Sequence, residues 1–76
     1  MYHTIEFATD MWVDLEWSPK QPLERVRLRR GTRTRAQVQP HVIETASGPV
    51  ETADLLFENG TVGRHVPFGR FSFVEG

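Results

Sequence analysis

Arginine is the residue type whose spacing in this chain points most directly to chemistry. The stretch VRLRRGTRTR, residues 26–35, holds five of the nine basic side chains. Five arginines of this region share one parity along the chain: Arg25, Arg27, Arg29, Arg33 and Arg35. On strands they would share one face, because successive side chains of a strand point to opposite faces. Such a row could neutralise phosphates and release their counterions, which predicts a nucleic-acid-binding face.

The same arginines have an alternative role as the wet face of a sheet. The even positions of the first strand segment offer acids in a matching outward register: Glu6, Asp10, Asp14 and Glu16. Cross-strand pairs of opposite charge contribute roughly 0.2–1 kcal/mol each, and charges on exposed strands discourage edge-to-edge aggregation. The formal net charge of −1 supplies no long-range attraction to nucleic acid. The pattern therefore favours a paired or solvated face, with nucleic-acid binding as the alternative function.

Three aromatic residues are candidates for a protein interface. Tyr2 and Trp12 have the outward parity of their segment, and Phe68 lies in the turn VPFGR. An outward Trp is typical of a binding anchor or an oligomer contact. Two alternatives stay open, since a bend near Asp10 would bury Trp12 and Phe68 could cap the end of a barrel. The remaining inward-parity aromatics are predicted core residues: Phe7, Trp17, Phe57, Phe71 and Phe73.

The residues that usually carry catalysis or metal binding show no typical arrangement. His3, His41 and His65 lack metal-ligand spacing, and the apolar parity of His3 predicts a buried or partly buried ring. There is no cysteine nucleophile, no serine elbow and no glycine-rich phosphate loop. We therefore predict a protein that is not an enzyme and that needs no cofactor and no metal.

Size and composition limit the class of protein. The 76 residues predict a single domain spanning positions 1–76, and a chain this short buries only about 60–65% of its unfolded surface. With no cysteine to form a disulfide, a second subunit could supply further stability. No apolar run approaches the ~20 residues of a membrane span, and the N-terminus does not resemble a signal peptide. We expect a cytoplasmic location and no membrane partner.

The hydrophobic period is two nearly everywhere, which predicts strands rather than helices. Residues 3–17 form one bent strand or two, and the other strands are separated by turns at 18–22, 30–32, 46–49 and 59–60. Asn59-Gly60 indicates a type I′ hairpin. Pro40 indicates the edge of a sheet or a break in a strand. Residues 66–70 predict a 3₁₀-like turn before a final strand at 71–74. Together these features predict an all-β fold of five or six short antiparallel strands, as a small barrel or as orthogonal sheets.

The closing segment ADLLFENGTVGRHVPFGRFSFVE, residues 53–75, resembles the last hairpin of SH3-like small barrels, including Tudor-type modules. In those barrels an Asp/Asn-Gly turn joins two strands, and a short turn then leads into a terminal strand. The resemblance implies an SH3-like barrel fold and no specific family. With the outward aromatics, it leads us to expect a non-enzymatic interaction module that binds a partner protein or a second copy of itself.

Overall fold

The computed structural model describes residues 1–74 and consists of strands with one 3₁₀ turn between the last two. The strands are β1 His3–Phe7, β2 Met11–Glu16, β3 Glu24–Leu28, β4 Arg33–Thr45, β5 Gly48–Phe57, β6 Val62–Pro67 and β7 Phe71–Phe73, and the 3₁₀ turn η1 is Phe68–Arg70. They form one curled antiparallel sheet of order β3-β2-β6-β5-β4-β1-β7. The all-β prediction is confirmed, and within residues 1–74 no helix is long and apolar enough to cross a membrane.

The sheet has seven strands rather than the five or six predicted, because residues 3–17 fold as two strands. The chain leaves β1 at Phe7, and the Asp10 carboxylate holds the break before β2. Its Oδ1 accepts the Arg30 amide at 2.7 Å and its Oδ2 accepts the Arg27 guanidinium at 3.2 Å. One side chain therefore links the β1–β2 turn to the turn that follows β3.

The hairpin predicted at Asn59-Gly60 is present, but its turn is not type I′. Gly60 has a φ of +91°, whereas Asn59 does not have positive φ. The Gly60 amide donates to the Phe57 carbonyl at 3.0 Å, and the Phe57 amide donates to the Thr61 carbonyl at 2.9 Å. This is a three-residue loop with its glycine in the left-handed position. The Asn59 side chain accepts hydrogen bonds from the amide and hydroxyl of Thr61, which favours this geometry.

Strand β4 continues through Pro40 instead of ending there. Within the described sheet, β1 pairs with β4 only over Arg33–Ala36, and beyond that point β5 is the only neighbour. A residue without an N–H is tolerated where one side of a strand is free. The predicted edge position is thus present inside one long strand, and β4 and β5 extend together as a two-stranded arm ending at the turn after Thr45.

The core lies on the concave face of the curled sheet. Its buried apolar residues are Ile5, Phe7, Val13, Ala36, Ala53, Leu55, Val66 and Phe71. The prediction of a core position is wrong for two residues, because Trp17 is 51% exposed and Phe73 is 47% exposed. Trp17 lies past the end of β2, where its indole N–H donates to Glu24 at 2.7 Å. Phe73 lies on the edge strand β7, with no strand beyond it in the described sheet.

Candidate functional site

The five parity-related arginines are divided between strands that are not neighbours. They lie, in chain order, on β3, in the following turn and on β4: Arg25, Arg27, Arg29, Arg33 and Arg35. Strand β3 pairs only with β2, whereas β4 pairs with β5 and β1. Gly31 forms the predicted turn, with a φ of +86°. The two strands that this turn joins are therefore not neighbours in the sheet, so the five arginines do not form one continuous row.

Carboxylates face four of these arginines. The ion pairs, with their N···O distances, are Arg25–Asp14 at 4.0 Å, Arg27–Asp10 at 3.2 Å, Arg33–Glu6 at 2.8 Å and Arg35–Glu58 at 3.8 Å. We call these four arginines with their partners the arginine surface. Each of its arginine side chains is more than half exposed, so each pair contributes only about 0–1 kcal/mol. The pairing offsets most of the positive charge that a polyanion would need.

The three candidate interface aromatics do not form one patch along the sheet. Trp12 lies on β2 and is 58% exposed, as its outward parity predicts, while Tyr2 precedes β1 and is also exposed. Three strands separate β1 from β2 in the sheet order. Phe68 lies in η1 and packs against the core with its ring 5.6 Å from that of Phe71.

A different set of side chains converges on a concavity that the sequence patterns do not mark. Its floor is His41 of β4 and His65 of β6, whose ring centroids lie 5.1 Å apart. The loop between β2 and β3 forms one wall with Pro22 and Leu23. The cavity has a volume of about 570 Å³, within the usual size range of ligand sites. We call it the histidine groove.

Three carboxylates and one guanidinium line the histidine groove beside the two rings. Arg64 Nη1 donates to Asp54 at 2.9 Å and Arg64 Nη2 donates to Glu16. Asp14, opposite Arg64 in the β2–β6 register, completes the set. The carboxylates of Glu16 and Asp54 raise the pKa of Arg64 above its ordinary value, so its charge is permanent. Asp14 is also paired with Arg25, whereas Glu16 and Asp54 share the single guanidinium of Arg64, so the groove has a small excess of negative charge.

Asp54 fixes the geometry of the groove. It lies where the β5–β6 register shifts between Ala53 and Leu55, and this bulge turns the carboxylate toward β6. Its Oδ1 accepts the His65 amide at 3.1 Å. Burial alone would raise the pKa of Asp54, but the His65 amide and then the Arg64 guanidinium outweigh that effect and hold the pKa below its usual value. The side chain is only 12% exposed, so this is the most enclosed carboxylate of the groove.

His65 has the strained backbone of the site. Its φ of +54° makes it the only non-glycine residue with positive φ among those the structure describes. This left-handed conformation costs an L-residue roughly 1–2 kcal/mol and persists where the surroundings impose it. Here the hydrogen bond from the His65 amide to Asp54 imposes it. Strain of this kind is concentrated at functional sites in proteins.

A second concavity of about 250 Å³ adjoins the first through their shared residue His41. It is lined by residues of the β4–β5 arm and by η1, including Pro40, Val42 and Phe68. Val42 is 58% exposed. The Thr52 hydroxyl donates to the His41 carbonyl at 2.8 Å and fixes the backbone between the two cavities. The second concavity shares His41 with the histidine groove and contains Phe68 from the predicted interface set.

The sequence does not reveal the approach of His41 and His65, because 24 positions separate them and two strand pairings bring them together. The break in alternation is visible in the burial of β6, where the buried residues Gly63 and Val66 are three positions apart instead of two. His3 is partly buried, as predicted, with its ring 5.3 Å from that of Phe73. In the described part of the chain, no group of three His, Cys, Asp or Glu side chains is placed to hold a metal ion.

Comparisons with protein-family models, with curated proteins and with solved structures find no significant match to this chain. The functional argument therefore depends on the geometry of the chain itself.

Proposed function

We propose that this protein is a small non-enzymatic interaction module that binds an extended segment of a partner protein in the histidine groove. The observation that carries the proposal is His65, a strained residue on the floor of the groove. The left-handed backbone of His65 has a cost in stability that glycine would avoid at this position, so the presence of histidine supports a role for its ring in binding. The presence of a second concavity that shares His41 with the groove favours an elongated ligand over a compact one.

The side chains of the groove indicate which segment would fit. The excess of carboxylates at one end favours a basic residue of the ligand. The exposed apolar side chains of Leu23 and Val42 and the ring of Phe68 favour apolar neighbours along the same segment. Self-association, the other form of this function, would use the sheet edges instead of the groove. Nucleic-acid binding by the arginine surface is disfavoured by its carboxylate partners.

We also propose that the fold is an SH3-like barrel. Three features support this assignment: the strand order β7-β1-β4-β5-β6, the hairpin β2–β3 inserted between β1 and β4, and the 3₁₀ turn before the last strand. On this proposal, the resemblance seen in residues 53–75 would extend to the whole topology. Fold likeness alone assigns no ligand, so the groove is argued from its own residues.

The test is a selection of displayed random 12-residue peptides on the folded protein, followed by affinity measurement. Leu23→Lys places a positive charge in the histidine groove, and Val42→Lys places one in the second concavity. Each charge opposes a basic ligand, so we expect each variant to weaken the selected peptides about tenfold. The matched control is Val50→Lys, since Val50 is an exposed valine of the same arm that does not line either cavity. Peptides that bind all three variants as tightly as the wild type would overturn the proposed site.

A further inference from the structure

The concave side of the curled sheet holds a third concavity, separate from the histidine groove. It has a volume of about 440 Å³, within the usual size range of small-molecule sites. Both β3 and β4 line it, although these two strands do not pair with each other. The turn at Gly31 carries the chain from β3 to β4 beside this space. We call it the inner cavity.

The floor of the inner cavity is apolar. Phe7 of β1 is fully buried there, and four apolar side chains from three other strands are only partly buried: Leu15, Val26, Leu28 and Phe57. Strand β3 is an edge of the described sheet, so its inward side chains lack a neighbouring strand on one side. The apolar body of a ligand would remove this surface from water, which favours binding.

Polar side chains at the start of β4 border this apolar floor. Thr34 has the parity of the buried residue Ala36, so its hydroxyl lies on the cavity side of the strand. Arg33 and Arg35, on either side of Thr34, also line the cavity, and Glu58 lines it from the turn after β5. The inner cavity therefore combines an apolar interior with charged groups at its mouth.

Arg35 is the cation best placed to hold an anion at this mouth. Arg33 donates to Glu6 at 2.8 Å, so a short ion pair already matches its charge. Arg35 lies 3.8 Å from Glu58, which is too long for a hydrogen bond. A guanidinium can donate two parallel hydrogen bonds to one carboxylate. A ligand carboxylate would form with Arg35 the bidentate pair that Glu58 does not form.

We propose that the inner cavity binds a small amphipathic acid, with its apolar body on the cavity floor and its carboxylate on Arg35. A single carboxylate needs one guanidinium, whereas a polyanion would need the whole arginine surface, so the ion pairs that disfavour nucleic acid do not oppose this ligand. Among the described residues, the inner cavity and the histidine groove have no lining residue in common. Either proposal can therefore fail while the other holds.

Three probes of the same chain length separate the apolar body from the head group: octanoate, 1-octanol and octyltrimethylammonium. Each is titrated into isotope-labelled protein, and methyl signals are followed by NMR. We expect octanoate to shift the methyl signals of Leu15, Val26 and Leu28 and to bind about tenfold more tightly than octanol. The cationic probe should bind more weakly than octanol. Octanoate that leaves these methyl signals unshifted at about 10 mM, or that binds no more tightly than octanol, would overturn the proposal.

A substitution at the mouth tests the role of Arg35. Arg35→Gln removes the cation, so we expect it to weaken octanoate about tenfold and to leave octanol unchanged. The matched control is Arg25→Gln, because Arg25 is also exposed and also has a long ion pair, 4.0 Å from Asp14, but does not line the cavity. An Arg35→Gln protein that binds octanoate as tightly as the Arg25→Gln protein contradicts the proposal.

A substitution on the floor tests the site of the apolar body. Val26→Phe fills part of the inner cavity and should weaken octanoate and octanol alike. Val42→Phe, at an exposed valine outside this cavity, is the control and should weaken neither. Thermal unfolding establishes that both variants are folded, and the comparison of Arg35→Gln with Arg25→Gln decides the proposal if Val26→Phe does not fold. A folded Val26→Phe protein with unchanged affinity for octanoate would place the ligand elsewhere and overturn the proposal.

Discussion

The arginine surface and the histidine groove use the same residue types in opposite ways. On the arginine surface each guanidinium meets one carboxylate from another part of the chain, and the pairs remain in solvent. In the groove, two carboxylates converge on Arg64, and one of them also fixes the backbone of His65. The arginine surface shows the pairing of opposite charges that is usual on an exposed sheet. The groove differs because a register shift and a strained residue accompany its ion pairs.

This difference shows where a binding function can be sought in a small all-β chain. A conspicuous run of arginines is explained by cross-strand pairing and by protection of an edge, with no ligand required. The groove combines an enclosed carboxylate, a register shift and a strained residue. Departures from regular backbone geometry and from regular strand pairing occur together at functional sites more often than elsewhere.

The largest expected effect separates the two regions by stability. Asp54→Ala lowers the free energy of unfolding by about 2–3 kcal/mol, because the His65 amide and Arg64 lose their acceptor in an enclosed site. The matched change on the arginine surface is Glu58→Ala, whose partner Arg35 lies 3.8 Å away. It costs less than about 0.5 kcal/mol. Urea unfolding of both variants measures the difference between the two losses in free energy of unfolding. Equal losses would contradict the distinction between the two regions.

The second effect isolates the backbone strain of His65. His65→Gly and His65→Ala both remove the ring, but only glycine adopts a φ of +54° without cost. We expect the glycine variant to be more stable than the alanine variant by about 1 kcal/mol. Arg33 in β4 provides the control, where glycine is less stable than alanine by about 0.5–1 kcal/mol. The same order at both positions would refute strain at His65.

A smaller effect appears on acidification. The pKa of Asp54 is lower in the folded chain than in the unfolded one. Its contribution to stability is therefore present above the unfolded carboxyl pKa of about 3.9 and is lost as pH falls through the folded value. Asp10 contributes in the same direction, since the Arg30 amide lowers its pKa. Thermal unfolding from pH 6 to pH 2 should show a decline in stability that Asp54→Asn reduces.

The smallest effect concerns the arginine surface itself. Arg25→Ala and Arg35→Ala each change stability by no more than about 0.5 kcal/mol, because their pairs are long and exposed. Added salt should reduce even that difference, since exposed charges are screened. Unfolding curves at low and high salt check this expectation. A loss above about 1 kcal/mol for either variant would mean that the surface is a structural network instead of a set of independent pairs.

The local elements of this fold could be predicted from the sequence, since they depend on near neighbours. The alternation of β1 and β2, the turn at Gly31, the hairpin near Gly60 and the 3₁₀ turn before β7 are all confirmed. The outward positions of Trp12 and of the arginines also follow from parity. The predicted type I′ turn at Gly60 was wrong, because the Asn59 side chain stabilises a three-residue loop.

The arrangement of these elements could not be predicted in the same way. Which strands pair depends on contacts between distant segments, so the separation of β3 from β4 has no local signal. The exposure of Trp17 and Phe73 follows from their places at a strand end and at a sheet edge. The groove depends on one register shift opposite Asp54, which changes the face of the later residues of β6. A prediction that assumes unbroken alternation of inward and outward residues along β6 does not detect this shift.

Mapping by NMR tests the central claim most directly, that binding belongs to the histidine groove and not to the arginine surface. The isotope-labelled protein is titrated with a selected 12-residue peptide and, separately, with single-stranded DNA at about 50 mM salt. We predict that the peptide shifts the amide signals of His41, Val42 and His65, and that DNA shifts none. Shifts confined to Arg25, Arg27, Arg33 and Arg35, from either ligand, would contradict the account.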